Sequence, residues 1–280
     1  MPTFETRDPI SATVQVVAGD VRISAGERTA TTVEVAPTDA ASEEDRKAAE
    51  LTRVEYADGR LLVKAPKLRS WLPRHPGGSI ELTIALPAGS SLQADAGLAD
   101  VTVDGELGDC RIKTGIGRIQ VDRAATLNLR SGIGDVAVDH ASGHADVNTG
   151  SGEIRVRELG ATGVIKSSNG DTWVGIAAGD LRVRSANGSI TVDESRATVG
   201  AKSANGDVRL GDVRGSVVLE TSLGDLDVGI PEGTAAFLDV RASAGRVHNE
   251  LEAAQAPDRT AEKVEVRART AAGDVLIHRP

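Results

Sequence analysis

The sequence has very little of several residue types, and each shortage excludes something. There is one cysteine among 280 residues, Cys110. That excludes an internal disulfide framework and any cysteine-based zinc site. Aromatics are confined to Phe4, Tyr56, Trp71, Trp173 and Phe237. A globular core of this length uses more large rings, whereas a narrow interior of Val, Ile, Leu and Ala does not need them. No stretch of 18 apolar residues occurs, so no membrane-spanning helix is expected. Met1 to Asp20 has no basic segment followed by an apolar one, and no lipidation or anchoring signal is visible. On that reading the chain is expected to be cytoplasmic. The formal charge of −9 disfavours general binding to nucleic acid or anionic membranes. The histidines, His75, His140, His144, His248 and His278, are scattered and form no metal or catalytic constellation.

Glycine, at 31 residues, is abundant. Asn169-Gly170-Asp171 returns as Asn187-Gly188-Ser189 and again as Asn205-Gly206-Asp207. Looser copies stand at Gly117, Gly134, Gly152, Gly224, Gly245 and Gly273. The steps along these nine glycines are 17, 18, 18, 18, 18, 18, 21 and 28 residues. A fixed period of this kind marks a stack of coils, each touching only its neighbours.

Alignment on the glycine gives each position a role. Two and four residues after it come Ile119/Val121, Val136/Val138, Ile154/Val156, Thr172/Val174, Ile190/Val192, Val208/Leu210, Leu226/Val228 and Val275/Ile277. Five before it come Ile112, Leu129, Val147, Ile165, Val183, Ala201, Leu219, Val240 and Ala268. This period of two on both sides of a tight turn predicts two strands per coil, paired in parallel with the next coil about 4.8 Å away. Three before the glycine stands a Ser/Thr column, placed to bond backbone groups at the corner. Asn169, Asn187 and Asn205 predict an asparagine ladder. Asp or Glu directly after the glycine predicts turn capping. Calcium-binding β-rolls differ, because they need the acidic residue two after the glycine in both halves of each coil.

Four before the glycine lies an outward column: Lys113, Arg130, Asn148, Lys166, Arg184, Lys202, Glu220, Arg241 and Arg269. Like charges at that spacing repel. The stripe therefore pairs with neighbouring carboxylates or meets an anionic partner.

Outside the array, 38–53 reads as a short helix or charged loop, with Ser42 before Glu43, Glu44 and Asp45 as a start signal. Asp58-Gly59 between alternating runs predicts a hairpin. Residues 64–78 form a proline-containing basic loop. Lys64, Lys67, Arg69, Trp71 and Arg74 in that loop, with Trp173 on an outward position, are the candidate partner-contact residues. The expected organisation is 1–91 as N-terminal coils with an insertion or cap at 38–78, 92–228 as regular repeats, and 229–280 as C-terminal coils with a capping loop. The ending Ile277-His278-Arg279-Pro280 carries charge and proline, which predicts a blocked terminal edge.

The recurring [Ser/Thr]-x-[Asn/Gly]-Gly-Asp-[Val/Ile]-x-[Val/Leu] resembles the bacterial β-strand-repeat "putative adhesin" family, a domain of unknown function. So do Val16-Val17-Ala18-Gly19-Asp20-Val21, Ile84-Ala85-Leu86-Pro87-Ala88-Gly89 and Thr270-Ala271-Ala272-Gly273-Asp274-Val275-Leu276-Ile277. The resemblance implies an all-β parallel β-helix, or solenoid, of right-handed sense, with no catalytic, cofactor or metal residues to carry over. The functional expectation is a non-enzymatic scaffold or interaction protein whose partner is a protein or an anionic surface or polymer. One alternative is a carbohydrate-binding or carbohydrate-active β-helix. A second is a self-assembling structural β-helix.

Overall fold

The computed structural model describes residues 2–66, 78–251 and 263–280. The chain is a parallel β-solenoid with a single helix among these residues, and it divides into two compact units, Met1–Ser142 and Gly143–Pro280.

The first unit contains β1 (Thr3–Glu5), β2 (Ser11–Gly26), β3 (Ala30–Pro37), α1 (Glu43–Leu51), β4 (Arg53–Ala57) and β5 (Arg60–Lys64). It continues through β6 (Ile80–Pro87), β7 (Ser91–Ile116), β8 (Ile119–Ile133) and β9 (Val136–Ala141). β2 lies parallel to β5 and β6 on one side and to β7 on the other, and β8 and β9 follow β7 in parallel. β7 runs through Ala99, where other coils carry the turn glycine. β3 pairs antiparallel with β6, and β1 antiparallel with β3. The expected helix is α1. The Ser42 hydroxyl accepts from the Asp45 amide at 3.2 Å, and Ala48 is buried. The Asp58-Gly59 hairpin joins β4 to β5, with both turn residues at positive φ.

The second unit alternates two strand sets. One set is β10 (Ala145–Ser151), β12 (Gly163–Asn169), β14 (Leu181–Asn187), β16 (Val199–Asn205), β18 (Val217–Leu223), β20 (Ala235–Ala244) and β22 (Lys263–Ala272). The other is β11 (Ile154–Leu159), β13 (Thr172–Ala177), β15 (Ile190–Ser195), β17 (Val208–Val213), β19 (Leu226–Gly229), β21 (Val247–Asn249) and β23 (Val275–His278). As far as β18 and β19, each strand pairs in parallel with the equivalent strand one coil on, and the register follows the 18-residue period: Ile165↔Val183↔Ala201↔Leu219. These aliphatic side chains are fully buried.

The terminal coils depart from the sequence expectation. β18 pairs with β22, not with β20, and β20 pairs on the far side of β22. Likewise β23 sits between β19 and β21. The last coil in sequence is therefore the last but one in space. The charged, proline-ended C-terminus does not block the edge. Instead Arg279 donates to the Ile230 and Thr234 carbonyls at 3.1 and 3.3 Å, and ties the end of the chain to the start of the loop before β20. Periodicity is blind to this order, because all three coils carry the same inward pattern.

Candidate functional site

The polar side chains that recur at the corners are turned toward neighbouring coils. Ser203 donates to the Gly188 carbonyl at 3.2 Å, Thr221 to Gly206 at 3.0 Å, and Thr270 to Gly224 at 3.0 Å. The equivalent bonds in the first unit run from Ser131 to Gly117 and from Thr114 to Ala99. Two positions differ: Ser167 donates within its own coil, to the Gly170 carbonyl, and the buried Ser185 hydroxyl has no partner among the described residues. The asparagines form the expected ladder. Asn205 Nδ2 donates to Asn187 Oδ1 at 2.8 Å, and Asn187 Nδ2 to Asn169 Oδ1 at 3.0 Å.

The acidic column caps as expected, but across coils. Asp171 accepts from the Ser189 amide at 2.8 Å, Asp207 from Asp225 at 2.8 Å, and Asp225 from Asp274 at 2.7 Å. A carboxylate held by a backbone donor in the next coil is part of the stack. These columns supply stability, and the glycine at their centre is required. Gly188 has φ +138°, and a Cβ there would lie 2.2 Å from the Gly170 carbonyl oxygen.

What points outward is different. In the second unit the column reads Asn148, Lys166, Arg184, Lys202, Glu220, Arg269, Arg241 in spatial order. Part of it pairs. Lys202 meets Glu220 at 2.6 Å, while Arg269 and Arg241 reach Asp239 at 3.3 and 3.5 Å. Arg184 stands exposed, and so does Arg182 two residues before it. Two hollows flank Arg184 and Lys202. The larger, about 570 Å³, is lined by hydroxyls, including Ser203, Thr221, Ser222 and Ser243, together with Arg269. The smaller, about 320 Å³, lies over Gly200 between Arg182 and Val218.

A scan against family models matches the Toastrack DUF4097 model over residues 8–279. The chain belongs to the Toastrack DUF4097 family. No curated protein matches it. Solved structures similar to this Toastrack chain include a "putative adhesin" from Bacteroides fragilis NCTC 9343. It has 11% identity and a TM-score of 0.36, covering 99% of this chain and 95% of the other. Another is a "putative adhesin" from Parabacteroides distasonis ATCC 8503, with 13% identity and a TM-score of 0.42, covering 98% and 95%. A third, from Parabacteroides merdae ATCC 43184 and also titled a "putative adhesin", has 12% identity and a TM-score of 0.37, covering 99% and 95%. The family match agrees with the resemblance carried by the glycine repeats.

Two of the candidate contact residues of this Toastrack chain lie among the described residues. Lys64 is exposed at the end of β5, opposite Gln15 and Arg53. Trp173 is half-buried. Its indole N–H donates to both carboxylate oxygens of Asp193, at 3.1 and 3.3 Å, and its ring lies over Gly175. Lys67, Arg69, Trp71 and Arg74 fall outside the described residues. No helix among the described residues is long and apolar enough to cross a membrane.

Two surface features of the Toastrack chain escaped the sequence reading. One is the Gly200 hollow. The other is a row of exposed aliphatics in the first unit, Leu98, Ile116 and Ile133, at the positions that carry asparagine in the second. The row is visible once the residue before each glycine is aligned.

Proposed function

We propose that this chain is a non-enzymatic, adhesin-like binding scaffold, and that the basic outward face of its second unit is a contact surface for an anionic partner. One observation supports this most. The recurring Ser, Thr, Asn and Asp side chains are largely directed into the stack, whereas Arg182, Arg184 and Lys202 project from one face beside two hollows. A row of cations carried on a paired sheet offers an anionic partner a charge pattern whose backbone is already ordered, so that only the side chains remain to be fixed. The candidate contacts Lys64, Lys67, Arg69, Trp71, Arg74 and Trp173 are assigned to the same kind of role.

The test is retention of polyaspartate, acidic glycans and anionic vesicles on the immobilised full chain, with polymer length measured afterwards. Retention that falls with salt, with polymer length unchanged, is the expected result. Shortened polymer would show an enzyme, and the absence of salt-sensitive retention across the panel would remove the anionic contact surface. Reversing Lys67, Arg69 and Arg74 to Glu lowers retention if that loop takes part and leaves it unchanged if it does not.

A further inference from the structure

We infer that the hollow over Gly200 is a subsite for one carboxylate or sulfate group of an acidic polysaccharide, whose chain continues over Arg184 and Lys202 into the hydroxyl-lined cleft. This rests on the reading of the second unit as a binding scaffold and names the class of its partner.

The first support is the glycine itself. Gly200 is the second residue of β16, within the paired stretch, where glycine weakens a strand and leaves no side chain to pack. The corner glycines have a steric reason to be glycine. Gly200 has none: a Cβ there would meet nothing within 4 Å, and its φ is not in the left-handed region. Its neighbours in the same outward column are Val164, Arg182 and Val218, so the sheet face drops by one side chain at this place alone in that run. A strand glycine without an internal reason marks a close approach from outside.

The second support is charge. Arg182 flanks the hollow on the neighbouring strand, and Arg184 and Lys202 flank it two residues further along β14 and β16. Lys202 has its carboxylate, Glu220, on the side away from Arg184. Arg182 and Arg184 have no carboxylate partner among the described residues. The Asp180 carboxylate also lines the recess, where it accepts from the Thr198 amide at 3.1 Å, so three cations against one engaged carboxylate leave about 320 Å³ for a single anionic group.

The third support is the continuation. Arg184 and Lys202 also line the larger cleft, so the two hollows meet at these side chains. That cleft offers Ser222 and Ser243, both exposed, and a further cation, Arg269, with Glu220 among its lining residues and no aromatic ring. Hydroxyls with spaced cations suit a polymer that is itself hydroxyl-rich and carries spaced anions. An acidic peptide would find no free strand edge on this face, since β14, β16 and β18 are paired on both sides.

The experiment measures binding of an oligogalacturonate, a sulfated dextran, neutral dextran and polyaspartate to the full chain by calorimetry. Arg182→Ala/Arg184→Ala should weaken binding of the two acidic glycans tenfold or more. Lys113→Ala/Arg130→Ala, which removes the same charge from the first unit, should change it less than about threefold. Gly200→Val alters no charge and fills the recess, and should also weaken it about tenfold. Thermal unfolding confirms that each variant is folded. Gly200→Ser serves if the valine variant is not. Equal loss from both double variants, or no loss on filling Gly200, overturns the subsite. Tighter binding of polyaspartate than of either acidic glycan assigns the face to an acidic peptide instead. If the chain binds none of these glycans but retains another anionic partner, the subsite falls and the scaffold stands. If the glycans are shortened, the scaffold reading itself falls.

Discussion

Ser185 and Ser203 occupy the same column one coil apart and differ in one bond. The Ser203 hydroxyl serves the Gly188 carbonyl, and the Ser185 hydroxyl has no partner among the described residues. A hydrogen bond of this kind contributes about 1 kcal/mol net, and a buried hydroxyl without one costs free energy. Ser203→Ala is therefore expected to lower stability by about 1 kcal/mol in denaturant unfolding. Ser185→Ala is expected to leave it unchanged or raise it slightly. Equal losses for both would mean that the column acts through packing alone. At this scale much was legible beforehand. A side chain that returns every 18 residues beside a glycine has a single environment, so Ser203, Asn187 and Asp207 could be read without coordinates. Gly200 could not. One glycine in a strand has the same sequence signature whether it sits under another backbone or under open solvent. Cys110 was legible only as a solitary thiol. Burial pushes it up to about 12, so it is neutral and inert at ordinary pH.

At the scale of the element, α1 shows how a charged segment is tied to a sheet. The Asp45 carboxylate accepts from the Ser79 amide at 2.9 Å and the Asp39 amide at 3.1 Å, and so links the helix to the strand lead before β6. These bonds, with Ser79 the largest, hold the carboxyl below its ordinary value of 3.8. The folded value is depressed, so the stabilisation is complete above 3.8 and is lost as pH falls through the folded value. The expected outcome is a loss of protection of the Ser79 amide, relative to its intrinsic exchange rate, below about pH 4, absent in Asp45→Asn, which is less protected throughout. The same pH profile in both proteins would sink the assignment. The helix start at Ser42 and the Asp58-Gly59 turn were legible because both depend on chemistry within a few residues. The antiparallel pairing of β3 with β6 was not, because it joins segments more than 40 residues apart and leaves no local trace.

For the molecule as a whole, the order of the coils carries the largest consequence for stability. Removing a terminal coil from a stack should fray one end and leave the rest intact. Residues 263–280, although they close the sequence, fill an interior place between β18 and β20 and between β19 and β21. A chain ending at 262 is expected to release β20 and β21 as well. Limited proteolysis should then cut within 235–249 while β12 to β17 stay protected. If β20 remained protected in the shortened chain, it would have to pair directly with β18, contrary to the observed order. The net charge of −9 also acquires a meaning at this scale. Cations gathered on one face of an otherwise acidic protein give it a polarity that a sum over the sequence conceals.

The inserted coil also sets a condition on how the chain can be made. During synthesis β20 and β21 emerge before β22 and β23, and their inward residues Leu238, Val240 and Ala242 match the pattern that β18 accepts. The nascent chain thus passes through a stage in which the wrong neighbour is present and the right one is not yet available. Docking of β20 on β18 at that stage would exchange the last two coils, and the chain ending at 262, which stops there, reports whether it happens. The native order requires β20 to stay away from β18, or to leave it, until the C-terminal strand has been released. Residues 263–280 therefore decide the arrangement of those that precede them.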